Sequence, residues 1–185
     1  MAGATVGFAV ASRRVADLIA GGTKELPSAT AHTYVLEREQ LVPAPLDDVF
    51  DFFAEPANLA QLTPPQLGFR IIEVAGLPMR AGTTIEYTVR PLGFPQRWLA
   101  RIEEYEPGRR FVDMQLSGPY RYWRHEHTFE PRDGGTLVRD HIEYQLPFGP
   151  LGRVANALAV ARQLRAIFDY RRDVIERMYG ASATV

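Results

Sequence analysis

The sequence predicts an α+β fold: a curved antiparallel sheet of six to seven strands wrapped around one long C-terminal helix, with two short helices after the first strand. Three observations carry this. Six strand-like runs follow one another between residues 69 and 146 with only turn chemistry between them, which demands hairpins rather than helical crossovers. A short stretch before them adopts helical spacing. A second, much longer stretch from Leu151 to Met178 adopts it again. A sheet with one apolar face must be covered, and the long apolar-striped helix is the element able to cover it.

The elements run in order. From Thr33, TYVLEREQLV alternates and is rich in β-formers, so it reads as the first strand. Pro43 and Pro45 end it. In LDDVFDFFAEPANLAQLT, Leu46, Val49, Phe50 and Phe53 recur at helical spacing, with Asp47 and Asp48 in the first turn, where the helix dipole favours acids. Pro56 interrupts this helix, and Ala57 to Leu62 form a second short one. The strand runs FRIIEVA, TTIEYTVR, RWLARIEEYE, RRFVDMQLS, YRYWRHEHTFE and TLVRDHIEYQL follow, separated by GLPMRAG, PLGFPQ, PG, GP and PRDGG. In the last segment Val154, Leu158, Ala161, Leu164, Phe168, Ile175 and Met178 lie mostly three, four or seven apart, giving one continuous helix.

With 185 residues the chain is long enough to bury a substantial core, and 46% hydrophobic with 23% charged residues is ordinary for a globular protein. The formal net charge of -1 argues against nucleic acid or an anionic membrane as partner. The absence of cysteine removes disulfides, thiolate metal sites and cysteine nucleophiles, and fits a reducing, cytoplasmic setting. There is no run of about 18 apolar residues, so no transmembrane segment is expected. Residues 1–30 form an N-terminal extension, read as a short amphipathic helix or as disordered. Arg13 and Arg14 interrupt its apolar stretch, against a secretory signal. Residues 31–180 make a single domain and 181–185 a tail.

Three stretches carry a resemblance: VPAPLDDVFDFFAEPANLAQLTP, GPYRYWRHEHTFEPRDGGTLVRDHIEYQLPFGPLG and the closing helix with IFDYRR. Over roughly Thr33 to Tyr179 the chain resembles the SRPBCC superfamily of helix-grip proteins. These include START lipid-transfer domains, pollen-allergen-like proteins and polyketide cyclase/dehydrase-type proteins; the pattern of GPYRYWRHEHTFEP and LPFGPLG resembles a bacterial subgroup. The resemblance implies a deep, mostly apolar cavity between sheet and long helix that holds a hydrophobic ligand. It brings no catalytic motif, and fold alone does not fix function.

In YRYWRHEHTFEP every second residue from Arg121 gives Arg121, Trp123, His125, His127 and Phe129, two histidines among aromatics on one face. Taking the PRDGG turn to set Phe129 opposite Thr136 puts His125 opposite Asp140, with Val138, Ile142 and Tyr144 on the same face. A slip of two residues would pair His127 with Asp140 instead. A buried carboxylate needs a partner, and the histidines supply one. Four readings stand beside each other: a His–Asp core bond that fixes register, a polar patch in a ligand cavity, a metal site of His125, His127 and Asp140, and an acid/base pair. Metal binding is disfavoured, because same-face neighbours on a strand stand about 7 Å apart at the backbone and no fourth ligand is evident. No nucleophile motif such as GxSxG accompanies the acid/base reading. Tyr87 with Ile85 and Val89, and Trp98 with Ala100 and Ile102, form inward sets. Phe53 and Phe168 would close the cavity, and Arg165 falls near the helix stripe, at the rim or on an anionic head group. FVDMQL is open as to which face points in; His32 and His141 are peripheral.

The candidate ligand-binding residues are therefore Phe53, Tyr87, Trp98, Trp123, His125, His127, Asp140, Tyr144, Arg165 and Phe168, with His125, His127 and Asp140 the catalytic candidates. The partner expected is a small hydrophobic molecule, lipid-like, isoprenoid or polyketide-like, with no cofactor and no metal. The leading function is binding, transport or sequestration. The alternatives are a cyclase or dehydratase using the His–Asp pair, and an interaction domain whose core is filled by its own side chains. Dimerisation through a sheet edge or the N-terminal segment is left open.

Overall fold

The computed structural model describes residues 32–180, and the extension over 1–30 and the tail at 181–185 lie outside the described residues. One antiparallel sheet contains β1 (Tyr34–Val42), β2 (Arg70–Ala75), β3 (Thr84–Val89), β4 (Gln96–Glu106), β5 (Arg110–Ser117), β6 (Tyr122–Arg132) and β7 (Gly135–Gln145). The strand order is β1-β7-β6-β5-β4-β3-β2, so β2 to β7 follow each other as hairpins and β1 closes the far edge beside β7. All six runs between 69 and 146 are strands, and their alternation holds best on β6 and β7, where buried and half-buried residues alternate almost throughout.

Helices α1 (Leu46–Ala54) and α2 (Leu59–Leu62) follow β1. Asp47 and Asp48 occupy the first turn of α1, whose Val49, Phe50 and Phe53 are buried. The side chain of Glu55 accepts the N–H of Ala57 at 3.1 Å, starting the turn that links α1 to α2.

The C-terminal segment is helical throughout but not uniform: α3 (Gly149–Ala155), a π-helical turn (Asn156–Val160), then α4 (Ala161–Tyr179). The even stripe expected from Leu151 to Met178 therefore fails at its start. The wider turn shifts the helix face, and Val154 and Leu158 are 56% and 72% exposed rather than packed. The stripe that covers the sheet is Leu164, Phe168 and Ile175, all buried; Met178 is exposed.

The β6–β7 register differs by two residues from the one the turn suggests. Phe129 pairs with Val138, His127 with Asp140, His125 with Ile142 and Trp123 with Tyr144. The reason is the tightness of the connection: Arg132 pairs with Gly135 across Asp133 and Gly134, so the strands extend further into PRDGG. Gly134 takes a positive φ of 85°, and a Cβ on Gly135 would run into the carbonyl of Val42, so both glycines are required.

Two buried clusters lie between sheet and helices. One gathers Phe50, Phe53, Phe111, Phe129 and Ile175 under α1, the other Trp98, Trp123, Ile142, Leu164 and Phe168 under α4. The opposite sheet face carries ion pairs, Arg110 with Glu104, Glu106 and Glu126, and Arg139 with Glu39 and Glu130. No helix among the described residues is long and apolar enough to cross a membrane.

Candidate functional site

Between the two clusters lies a cleft of about 200 Å³. Its walls are aromatic and aliphatic, from Phe53 on α1 and Tyr87 and Trp98 on the sheet to Leu164 and Phe168 on α4. Its floor is polar: Asp113, His125, His127 and Arg171 also line it. Adjacent strands create that floor, since Asp113 pairs with His125 and Phe111 with His127 across β5 and β6.

The two imidazoles bridge two carboxylates. Asp140 Oδ1 lies 3.0 Å from His125 Nε2 and 2.9 Å from His127 Nδ1. On the other side, Asp113 Oδ2 lies 3.2 Å from His127 Nε2 and 3.5 Å from His125 Nδ1. Arg171 reaches from α4 to Asp140 Oδ1 at 3.1 Å, with its guanidinium 4.7 Å above the Phe53 ring. His127 stacks on Phe111 with centroids 4.2 Å apart, and His125 meets Phe168 edge-on at 5.6 Å. The histidines thus join the clusters and place polar atoms where an all-aromatic floor would have none.

Burial pushes the His125 imidazole down to about 4, and the charge of His127 acts in the same direction. Burial also works against a charged His127, but its hydrogen bonds to Asp113 and Asp140 more than offset that and raise it above its ordinary value. For Asp140, burial is outweighed by Arg171 and the histidines, which hold its carboxyl well below the usual range; Asp113 is lowered in the same way, chiefly by His127. At neutral pH His125 is neutral while His127 is biased towards its charged form, so the two carboxylates face the Arg171 guanidinium and the more basic of the two imidazoles. Charge balance makes so polar a floor tolerable inside an apolar interior. Of the two carboxylates, Asp113 is the more accessible, with a side chain 20% exposed against 9% for Asp140.

Seven of the ten sequence-selected residues line the cleft: Phe53, Tyr87, Trp98, Trp123, His125, His127 and Phe168. Asp140 sits behind the histidines and orients them. Tyr144 is buried, and its hydroxyl donates to Asn156 Oδ1 at 2.8 Å in the π-helical turn. Arg165 is exposed and does not line the cleft, because the cation on the packed stripe is Arg171. Arg171 follows Phe168 by three residues and precedes Ile175 by four; Arg172 has the same spacings in reverse and is exposed, so the period narrows the choice to two arginines without deciding between them. Asp113 had a weaker signal, because Val112 and Met114 on the opposite face of β5 are buried as well.

Trp98 adds one more polar atom. Its buried indole N–H meets no acceptor among the described residues. A donor left so costs about 1–3 kcal/mol, which marks it as a group able to hold an acceptor entering the cleft.

The family model for polyketide cyclase/dehydrase and lipid transport matches residues 34–176. Among solved structures, norcoclaurine synthase from Thalictrum flavum in complex with dopamine and hydroxybenzaldehyde is 18% identical with a TM-score of 0.59, covering 80% of this chain and 89% of that one. A protein from Chromobacterium violaceum is 16% identical with a TM-score of 0.60, covering 80% and 99%. The nucleoside-diphosphate sugar epimerase from Corynebacterium glutamicum is 26% identical with a TM-score of 0.57, covering 77% of this chain but 28% of that one. No match is found among curated proteins.

Proposed function

The chain belongs to the polyketide cyclase/dehydrase and lipid transport family, and on that premise we propose that it binds a small, mostly apolar ring compound, polyketide-like or aromatic, in the cleft between the sheet and α4. The observation that carries this is the contrast within the cleft: apolar walls closing on a floor of Asp113, His125, His127 and Arg171. Sites of this make-up use shape for affinity and a few placed polar groups for orientation. A volume of about 200 Å³ lies below the ~300–1,000 Å³ of drug-sized sites and favours a compact ring system over an extended acyl chain. The two small aromatic compounds in the Thalictrum enzyme are of that size class. A ligand hydroxyl or carbonyl would meet the floor, and an acceptor on its other end the Trp98 N–H. Binding, carriage and sequestration all follow from such a site.

Native mass spectrometry of the purified protein, followed by denaturing extraction, tests this first, with tryptophan quenching by a panel of phenols, naphthols and flavonoids beside it. A co-purifying ring compound or saturable quenching is the expected result. A ligand-free mass together with no quenching across the panel overturns the reading.

A second reading is favoured by one arrangement, His125 and His127 in ring contact with their pKa values pushed in opposite directions. Neighbouring groups whose pKa values are pushed apart are what acid and base roles require. His127 would donate a proton to a ligand oxygen and Asp113 or His125 would accept one from carbon, as cyclisation or dehydration needs. Replacing His125 or Asp140 by alanine would then abolish turnover, whereas in a pure carrier it would shift affinity alone.

A further inference from the structure

We propose that Asp113, His125 and His127 form a binding site for a divalent first-row transition metal, with an open coordination position facing the cleft. The site rests on the side-chain cluster alone and does not require the ligand reading above.

The first argument is convergence. One ligand atom from each of Asp113, His125 and His127 lies within 4.8 Å of the other two. Asp113 Oδ2 stands 3.5 Å from His125 Nδ1 and 3.2 Å from His127 Nε2. Ligand atoms held at about 2.0–2.2 Å in a tetrahedron are roughly 3.3 to 3.6 Å apart, so those two edges need little adjustment around a metal. The backbone spacing of same-face residues is no obstacle here. The rings of His125 and His127 lean together to a centroid separation of 3.7 Å, and the third ligand comes from β5 rather than β7.

The second argument is the outer contacts. Metal-ligating histidines ordinarily donate their remaining ring N–H to a carboxylate, which fixes the tautomer and the ring orientation. Here both do so to the same atom, Asp140 Oδ1, from His125 Nε2 and His127 Nδ1. Metal binding displaces the proton that His127 Nε2 shares with Asp113, and with both remaining ring N–H groups on Asp140 it leaves His125 Nδ1 and His127 Nε2 facing the metal beside Asp113. Asp140 is in turn held by Arg171. For His125 the inner and outer contacts agree on the nitrogen presented; for His127, Arg171 Nη2 also lies 3.3 Å from Nδ1, so the metal-bound ring gives its Nδ1–H to Asp140 rather than accepting from the guanidinium.

The third argument is access. The three ligating residues all line the cleft, so a fourth position opens onto it, as in sites that keep a place for water or substrate. Two imidazoles and one carboxylate suit zinc or iron(II) rather than calcium or magnesium, which prefer oxygen. An oxygen of a cleft ligand, phenolate or enolate, would complete the sphere.

The test is titration calorimetry of the full chain, stripped with EDTA, against zinc alone, repeated with Asp113→Asn, His127→Gln and Asp140→Asn, each checked for folding by circular dichroism. Cobalt(II) absorption would report the coordination number. The expected result is one zinc per chain, lost in Asp113→Asn and His127→Gln, and weakened about 10- to 100-fold in Asp140→Asn. If His127→Gln does not fold, Asp113→Asn, at the most accessible member, decides. No zinc binding by the wild-type chain, or binding left unchanged by Asp113→Asn, overturns the site. Ring-compound binding by the stripped protein is read separately, so either proposal can fail without the other.

Discussion

The imidazole rings of His125 and His127 lie with centroids 3.7 Å apart and planes tilted by 38°. Same-face neighbours on a strand start about 7 Å apart at the backbone, so the two side chains have converged. Both are drawn to Asp140 Oδ1. At this separation two full positive charges oppose each other, and the pair holds one proton more readily than two.

That relationship sets the pH dependence of the metal-free protein. His125 has a folded value of about 4 against an ordinary 6.5, so between those values the unfolded chain takes up a proton that the native state refuses. Stability therefore falls as pH drops from 6.5 towards about 4. Asp140 and Asp113 are held below 3.8, and their contribution, present above that value, is lost as pH falls through their folded values. His127 has the opposite sign: its value is raised above 6.5, so its contribution is full below 6.5 and disappears as pH rises through the folded value. Urea denaturation of EDTA-treated protein across the range should show the acid limb shrink in His125→Gln and the alkaline limb shrink in His127→Gln. A wild-type stability that is flat between 4 and 6.5 would rule out a neutral buried His125.

Asp140 and Arg171 should behave as one unit in stability. Their side chains are 9% and 11% exposed and 3.1 Å apart. Arg171→Met leaves a buried carboxylate with only imidazoles for partners, and Asp140→Asn leaves a buried guanidinium, each expected to cost about 3–5 kcal/mol. The double variant removes both charges and should cost less than the sum, with a coupling of roughly 1–3 kcal/mol. Equilibrium urea unfolding of the four proteins measures this, and additive costs would show that the contact contributes nothing beyond its parts.

Tyr144 should prove structural. Its hydroxyl is committed to the Oδ1 of buried Asn156, the first residue of the π-helical turn. Tyr144→Phe leaves that oxygen without its donor, at an expected cost of about 1–3 kcal/mol. The cleft lies elsewhere, so ring-compound affinity should be unchanged. A loss of affinity without a loss of stability would return Tyr144 to the list of ligand contacts.

The sheet, the short helices and the C-terminal helix were legible because each depends on a local period and its punctuation. The alternation of β6 put His125, His127, Trp123 and Phe129 on one buried face, as their burial shows. What the period could not supply was relative register and the partners brought by distant strands. The β6–β7 pairing slid by two because the turn closes on Asp133 and Gly134 alone. Asp113 joins the site through the β5–β6 register, and its strand is buried on both faces, so alternation carried no direction. The π-helical turn has no signature in apolar spacing, so that spacing assigns Val154 and Leu158 to a stripe they do not share. Arg171 was only half readable, since Arg171 and Arg172 both lie three or four residues from Phe168 and Ile175, and only the first turns inward, to Asp140.

Trp98 separates orientation from shape in the cleft. Its indole N–H is buried without an acceptor among the described residues, while its ring packs between Tyr87 at 5.7 Å and Trp123 at 5.2 Å. Trp98→Phe keeps an aromatic ring and removes the donor. No hydrogen bond among the described residues is lost, so the stability cost is confined to the smaller ring, about 1–3 kcal/mol by the scale for buried apolar side chains. A ligand with an acceptor at that end should bind roughly 5- to 10-fold more weakly, the worth of one neutral hydrogen bond. An analogue lacking the acceptor should lose less. Isothermal titration of the two ligands against the two proteins gives the four affinities. If the loss is the same for both ligands, Trp98 contributes contact area alone, and the polar end of the ligand is held only by the floor of Asp113, His125, His127 and Arg171.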